Sequence, residues 1–441
     1  MTQATVNITA PATNDQLLDA TMKVIAGGGS SNMRNLGIQT PLVLDRSGGC
    51  RIWDVEGNEL VDVNMGYGPH LFGYADPDIL GAVADQLRLG AVTGIPHRLD
   101  HEAGELIAAT VPTIEQVRFA QSGSEAIAST LRLARFVTGR TLVVTFEGHY
   151  HGWSETVLRK AAITNNGEGS TRAVPGAPGM IPEALAHTLQ IPWNDPEALD
   201  AVFREHGGEI AAVILEPICG NAGVVHPRPG FVERIADLTA RHGALLVFDE
   251  VITGFRVALG GAQELLSVRP DLTILSKVLG GGFPVAAFGG SREMMEPLAR
   301  NEAFHAGVFA GNHAAVGAVV ATLRKLRANP SVYDTLETDC AYLERRLTEV
   351  FAAANRPVRI ARCGSVMSVA LLTKPQETDP RYDAAVSLID FAAHRRLQLL
   401  CQDAGLYFHP NPLEPWFLST AHTRDELDTV VQTIGEALAR L

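Results

Sequence analysis

Between residues 117 and 288 the chain alternates two patterns. Short strings that are apolar at nearly every position (117–119, 142–146, 210–215, 244–248, 273–275 and 285–288) are separated by stretches whose apolar residues recur every three or four positions (125–138, 196–206 and 231–242). The strings predict strands buried on both faces, and the longer stretches predict amphipathic helices. Their alternation predicts a mainly parallel sheet covered by helices on both sides. A further helix is expected at 313–328. Upstream, helices are expected at 77–89 and 101–109. Before them lies a hairpin-like run (42–44, 50–54, 60–63) with turns at Gly48-Gly49 and Gly57-Asn58. Downstream, 358–361 and 365–371 read as antiparallel strands, with helices at 383–404 and 423–440. The fold class expected is α/β. A large mainly parallel-sheet domain spans 71–325, and a smaller α+β domain is built from both termini. Residues 1–70 supply an N-terminal arm and part of the small domain, and 326–441 supply the rest.

Bulk composition narrows the possibilities. The 441 residues suit two or three domains, and 46% hydrophobic with 19% charged is a soluble globular balance. A net charge of −13 repels phosphate backbones, so no nucleic-acid partner is expected. The longest apolar candidate, 272–290, contains Lys277, three consecutive glycines and Pro284, so no membrane span is expected. The first eighteen residues lack the basic-then-apolar order of a signal peptide. Cys50, Cys219, Cys340, Cys363 and Cys401 are scattered without a CxxC pair, as free thiols of a cytoplasmic protein would be.

Composition also isolates one residue. Only five basic residues are lysine, and Lys277 is the sole charged residue between Asp271 and Arg292. A buried ammonium tends to lose its proton, and the neutral amine is a nucleophile suited to Schiff-base chemistry. The alternative is a lysine that snorkels to solvent. Gly280-Gly281-Gly282 follow, where backbone can approach a ligand closely. Asp249 and Glu250 end an apolar strand, at the edge where α/β sheets place ligand sites. Asp249 suits the protonated ring nitrogen of pyridoxal phosphate, or else the capping of a following helix. Ser122-Gly123-Ser124 pass from a strand into a helix and form a cradle for one phosphate. Neither a GxGxxG βαβ fingerprint nor a GxxxxGK[ST] loop occurs. Tyr150 follows a strand and could stack on a ring. His149-x-His151 raises metal binding, but no carboxylate or cysteine cluster of ligand spacing accompanies it, so no metal is expected.

The order phosphate cap, aromatic, aspartate, lysine resembles the class III aminotransferases, which are fold-type I pyridoxal phosphate enzymes. Within that class the chain is most similar to the glutamate-1-semialdehyde 2,1-aminomutase family. The likeness rests on residues 248–263, opening Phe248-Asp249-Glu250-Val251, and on 146–152. Glu216-Pro217 with Gly220-Asn221, and Ser419-Thr420-Ala421-His422-Thr423, also carry it. It runs from about residue 25 to the end. The resemblance implies pyridoxal 5′-phosphate as cofactor, with pyridoxamine 5′-phosphate as an intermediate form. It implies that Lys277 forms the Schiff base and shuttles protons, and that Asp249 holds the pyridinium. Ser122, Gly123 and Ser124 would bind phosphate, Tyr150 would stack on the ring, and Asn221 would lie near its hydroxyl, with His151 and Glu216 also at the cofactor. Arg34, in the segment Ser31-Asn32-Met33-Arg34, would clamp a substrate carboxylate, and Glu414 would face the substrate. Residues 153–182 correspond to a mobile gating loop. A homodimer with its site at the interface is implied. Three positions depart from the aminomutase pattern. Val308 stands where a threonine reaches the neighbouring subunit's phosphate, Tyr67 where a tryptophan faces substrate, and Ile163 where a serine begins the gating loop. The implied activity is amino transfer between an amino acid-type donor and a carbonyl acceptor through Lys277, on a small substrate bearing a carboxylate. Intramolecular 2,1-amino transfer and amino acid epimerisation are the alternatives.

Overall fold

The strands that place the site are buried at every position. They are β5 (Leu142–Phe146), β6 (Thr188–Ile191), β7 (Ile210–Leu215), β8 (Leu245–Glu250), β9 (Leu272–Leu275) and β10 (Ala286–Gly290), joined by β4 (Gln116–Ala120) at one edge. The computed structural model describes residues 13–35, 42–90, 92–161, 171–375 and 386–441. The seven strands form one sheet in the order β4-β10-β9-β8-β7-β5-β6. β10 runs antiparallel to both its neighbours, and the other pairings are parallel.

Side chains alternate between the faces with period two. Leu142, Val144, Phe146, Val213, Leu215, Leu246 and Phe248 pack on one side with Trp193, Leu199, Phe203, Phe231 and Ile235. These partners include residues of the helices Pro196–His206 and Phe231–His242. Val143, Ala212, Ile214, Val247 and Ile274 face the other side, against Ile127, Leu131 and Ala134 of helix Gly123–Thr138. Each such large side chain contributes about 1.5–3 kcal/mol by leaving water. Local chemistry sets the helix ends. Asp195 caps its helix with Pro196 next, and Ser122 and Glu125 form a reciprocal capping box.

Two smaller sheets flank this one. β1 (Leu44–Gly48), β2 (Arg51–Asp54) and β3 (Glu59–Asp62) form an antiparallel meander, and β13 (Leu406–Tyr407) adds in parallel beside β3. β11 (Val358–Cys363), β12 (Val366–Leu371) and β14 (Trp416–Phe417) form an antiparallel sheet. Val61 and Val63 share one core with Leu343, Leu347, Phe351, Leu406, Phe408 and Ile434, so both chain ends meet there.

Several elements differ from the sequence expectation. The strand expected at 42–44 is Leu44–Gly48. The helix expected at 383–404 is Phe391–Asp403, because Ile389 bridges to Leu372 and Asp390 caps the helix. The helix expected at 101–109 is Arg98–Ala108, because His97 caps it and Asp100 closes a capping box. The last expected strand is Ala286–Gly290 rather than 285–288, since its pairing with β4 continues through Gly289 and Gly290. β6 carries polar Thr188 and Gln190 where a buried strand should be apolar. Both are satisfied: Thr188 Oγ1 donates to the Thr156 carbonyl, and Gln190 Nε2 to those of Lys160 and Ala161. A further helix, Val332–Ala353, buries Val332, Leu336, Cys340, Leu343, Leu347 and Phe351. Among the described residues, no helix is long and apolar enough to cross a membrane. The five cysteines are free and buried.

Candidate active site

Five segments converge because they leave C-terminal ends of strands in the large sheet. Ser122–Ser124 follow β4, Tyr150 and His151 follow β5, Glu216 follows β7, Asp249 lies on β8, and Lys277 follows β9. β8 and β9 are neighbours, with Asp249 paired to Ile274, three residues before Lys277.

Asp249 is buried, and its Oδ1 accepts from the Val251 N–H at 3.1 Å. Burial pushes its carboxyl up to about 7, while the Val251 bond and the Lys277 charge pull it back down. Its Oδ2 lies 2.8 Å from Nδ1 of His151. Burial and the Arg159 charge hold His151 well below its ordinary value. The imidazole is therefore neutral, and the contact is a hydrogen bond rather than an ion pair.

Glu216 is the second buried carboxyl, pushed up to about 7 by burial and then by Asp249. Its oxygens accept from the N–H groups of Tyr150 (2.8 Å), Gly220 (2.9 Å) and Asn221 (3.4 Å), and from Asn221 Nδ2 (2.9 Å). Glu216 thus anchors the loop that carries Tyr150. It also uses the Asn221 amide nitrogen, leaving Asn221 Oδ1 for another partner. His149 Nδ1 accepts from the Glu216 N–H. His149, Glu216 and Cys219 bring ligand-type atoms within 4.8 Å of one another. The Glu216 and His149 lone pairs are committed to these N–H donors, and burial keeps the Cys219 thiol protonated by pushing it well up. That donor set is structural rather than a metal centre.

Lys277 takes a left-handed φ of 49°, sterically costly for a side-chain-bearing residue. Among the described residues no group accepts a hydrogen bond from its Nζ, which lies 5.6 Å from the centre of the Phe417 ring. Burial lowers its ammonium pKa, and Glu414, Glu216 and Asp249 pull it back up in that order. The expectation that the three following glycines admit a ligand is corrected by what surrounds them. A Cβ at Gly280 would meet Val285 at 2.6 Å, at Gly281 Ile79 at 2.5 Å, and at Gly282 His70 at 2.2 Å. The protein's own packing excludes side chains there.

The backbone N–H groups of Gly123 and Ser124 find no acceptor among the described residues, as expected at a helix start. Ser122 Oγ accepts from the Glu125 N–H, and Ser124 Oγ from the Trp153 N–H, so both hydroxyl hydrogens remain to donate. The cap has the donors one phosphate requires. The Tyr150 phenol is pushed up by burial, then by the charges of Glu414 and Asp249.

On the outer side, Tyr67 is half-buried and its phenol is affected by both Glu414 and Arg34. Arg34 and Ser31 are exposed and joined through the Arg34 N–H to the Ser31 carbonyl. Val308 is 78% exposed on a turn tied to the cap by Asn312 Nδ2, which donates to Gln121 Oε1. Ile163 lies outside the described residues.

Three side chains at the site escaped the sequence reading. Phe417 lies under Lys277. Arg256 is buried 5.3 Å from that ring and donates to the carbonyls of Gly68 and Leu418 and to Ser365 Oγ. It is the sole charged residue between Glu250 and Glu264, the same signal that isolates Lys277. His409 packs on Tyr67, with ring centres 5.6 Å apart, and no sequence pattern marks it.

Comparison with known proteins agrees with this geometry. The family described as aminotransferase class-III matches residues 33–434. A glutamate-1-semialdehyde 2,1-aminomutase of Thermomicrobium roseum is 40% identical, covering 96% of this chain and 97% of that one. Among solved structures, an omega-transaminase from Sphaerobacter thermophilus superposes with a TM-score of 0.90 at 30% identity, over 97% of both chains. The FumI protein of Sphingopyxis sp. MTA144, in a pyridoxal phosphate internal aldimine form, superposes with a TM-score of 0.84 at 26% identity. That match covers 97% of this chain and 96% of that one.

Proposed function

The chain belongs to the class III aminotransferase family, and from that premise we propose that it transfers an amino group from a carboxylate-bearing amine to a carbonyl acceptor. It is a pyridoxal phosphate enzyme of the aminotransferase and aminomutase kind. The observation that carries the reading is that buried Asp249 ends β8 and Lys277 follows the adjacent strand β9, with a helix-start cap suited to phosphate at the same sheet edge.

Bound there, pyridoxal phosphate supplies a carbonyl that captures the donor amine and an electron sink for the pair left on its α-carbon. Ionised Asp249 would hold the ring nitrogen, with His151 fixing the Asp249 oxygen through Nδ1. The Gly123 and Ser124 N–H groups, with the Ser122 and Ser124 hydroxyls, would bind the phosphate. Tyr150 would pack on the ring face, and Asn221 Oδ1 would meet the ring hydroxyl. Lys277, whose ammonium burial makes easier to deprotonate, takes the proton from the α-carbon and returns it. Arg34 holds the substrate carboxylate by its paired N–H groups, and Glu414 with Tyr67 forms the outer wall.

The working unit is a homodimer in the cytoplasm. Leu89 ends a helix and Val92 and Ile95 follow it, all three exposed, as are Phe304, Val308 and Phe309 on another segment. His313 links the regions, with Nδ1 2.6 Å from the Gly90 carbonyl. Exposed apolar side chains of this kind suit burial against a second copy of the chain. Val308 lacks a hydroxyl, so Val308→Thr should tighten cofactor binding if that side chain reaches the partner's phosphate. Unchanged affinity would remove it from the phosphate site.

The whole-chain likeness to an aminomutase keeps transfer within one molecule as the second reading. A spectral screen of the holoenzyme separates them. Conversion of the cofactor absorption by a donor amine, without acceptor, marks intermolecular transfer. Turnover of a single substrate without donor marks a mutase or epimerase. Lys277→Ala should abolish the lysine-linked absorption band, and its persistence would refute the assignment.

A further inference from the structure

Tyr67 sits in a turn where Met65, Gly66, Tyr67 and Gly68 all take left-handed φ (48°, 62°, 66° and 98°). Side chains resist that conformation, so the turn must be held from outside. Asp62 Oδ1 accepts from the Asn64 and Met65 N–H groups, and Asn64 Oδ1 accepts from the Tyr67 N–H. Arg256 grips the Gly68 carbonyl. The phenol so placed donates to the Met33 carbonyl at 3.1 Å. Burial and Glu414 push that phenol up to about 12, so it stays a donor throughout the neutral range.

A second group faces the same carbonyl. His409 Nδ1 accepts from the Asn411 N–H at 3.1 Å, which puts the imidazole hydrogen on Nε2, 3.5 Å from the Met33 oxygen. That distance is at the long limit of a hydrogen bond, so Tyr67 is the principal donor. The Met33 carbonyl belongs to the peptide that begins Arg34. It lies in a single helical turn, Asn32–Asn35.

We propose that Tyr67 is a positioning residue, latching the Met33–Arg34 peptide to the site wall so that the Arg34 guanidinium is held ready for the substrate carboxylate. The role rests on the reading of Arg34 as the carboxylate clamp. Tyr67 does not itself touch the carboxylate. It removes freedom that the arm would otherwise lose on binding.

The test compares wild-type holoenzyme with Tyr67→Phe, which keeps the ring against His409 and removes only the donor. Two readouts are taken. Amide hydrogen exchange across residues 31–35 should quicken about fivefold, the effect of one lost hydrogen bond. In single-turnover conversion of the cofactor absorption, the half-saturating concentration of 4-aminobutanoate should rise by a similar factor. That of n-butylamine, which lacks the carboxylate, should rise clearly less. In an Arg34→Ala background Tyr67→Phe should add nothing for 4-aminobutanoate, because the two residues act in series. Unchanged exchange overturns the latch. Quickened exchange with equal rises for both amines overturns its role in carboxylate binding. If wild type converts neither amine, the amino-transfer reading fails for these donors, and the exchange measurement still decides the latch.

Discussion

Replacing His151 by leucine should move the pH dependence of cofactor binding toward alkali. The imidazole and its partner Asp249 are both buried, and their contact is 2.8 Å. A buried hydrogen bond to an ionised group contributes roughly 1.5–3 kcal/mol. At 1.36 kcal/mol per pKa unit, losing it raises the Asp249 pKa by about 1–2 units. Burial already holds that carboxyl at about 7. The variant therefore carries a protonated Asp249 near neutrality, which cannot hold a ring N–H⁺ as an acceptor. Leucine fills most of the imidazole's space, so the perturbation is chiefly the missing donor. The assay is titration of cofactor-free protein with pyridoxal phosphate from pH 6 to 9.5, followed by absorbance. In wild type, affinity should rise with pH through about 7. In the variant the same rise should come roughly 1–2 pH units later, with the two curves converging at high pH. A loss of equal size at every pH would refute the reasoning, because it would mean that His151 acts by packing alone.

Three more outcomes are expected. In cofactor-free protein the Asp249 carboxyl is raised from an ordinary 3.8 to about 7, so the folded chain keeps a proton that the unfolded chain has released. Rising pH across that window costs wild type stability, and Asp249→Asn escapes the cost. The melting temperature of Asp249→Asn minus that of wild type should grow more positive from pH 5 to pH 8, and a pH-independent difference would contradict it. Glu216→Gln sets an amide N–H group among four N–H donors and should lower the unfolding free energy by about 2–3 kcal/mol, read as a lower denaturation midpoint. An unchanged midpoint would show that those bonds are replaceable. Gly282→Ala combines φ 108° with a Cβ 2.2 Å from His70, whereas Gly90→Ala has φ 115° and open space. The first should cost at least about 1 kcal/mol more than the second, measured by chemical denaturation, and equal costs would refute the packing account.

The periodic segments were legible because their signal is local. β5 and β7, and the helices Pro196–His206, Phe231–His242 and His313–Ala328, end where the apolar pattern ends. β6 was not, since Thr188 and Gln190 find their partners on residues 156–161, beyond any local pattern. Lys277 and Asp249 were legible as charges at the ends of apolar runs. The reason given for the three glycines was wrong, because the atoms they avoid belong to His70, Ile79 and Val285, the first two some two hundred residues earlier.

The sequence alone determined the sheet, its parallel core and the two charges at its edge, Lys277 and Asp249, to which the proposed chemistry is assigned. Burial of an apolar strand and isolation of a charge within it are properties of neighbouring residues. Tertiary structure alone decided how those residues are tuned. His151 reaches Asp249 across 98 positions, Arg256 and Lys277 share the Phe417 ring, and Tyr67 and His409 meet at the Met33 carbonyl. Hydrogen bonds and desolvation act over a few ångströms of space, and only the folded chain brings such distant residues that close.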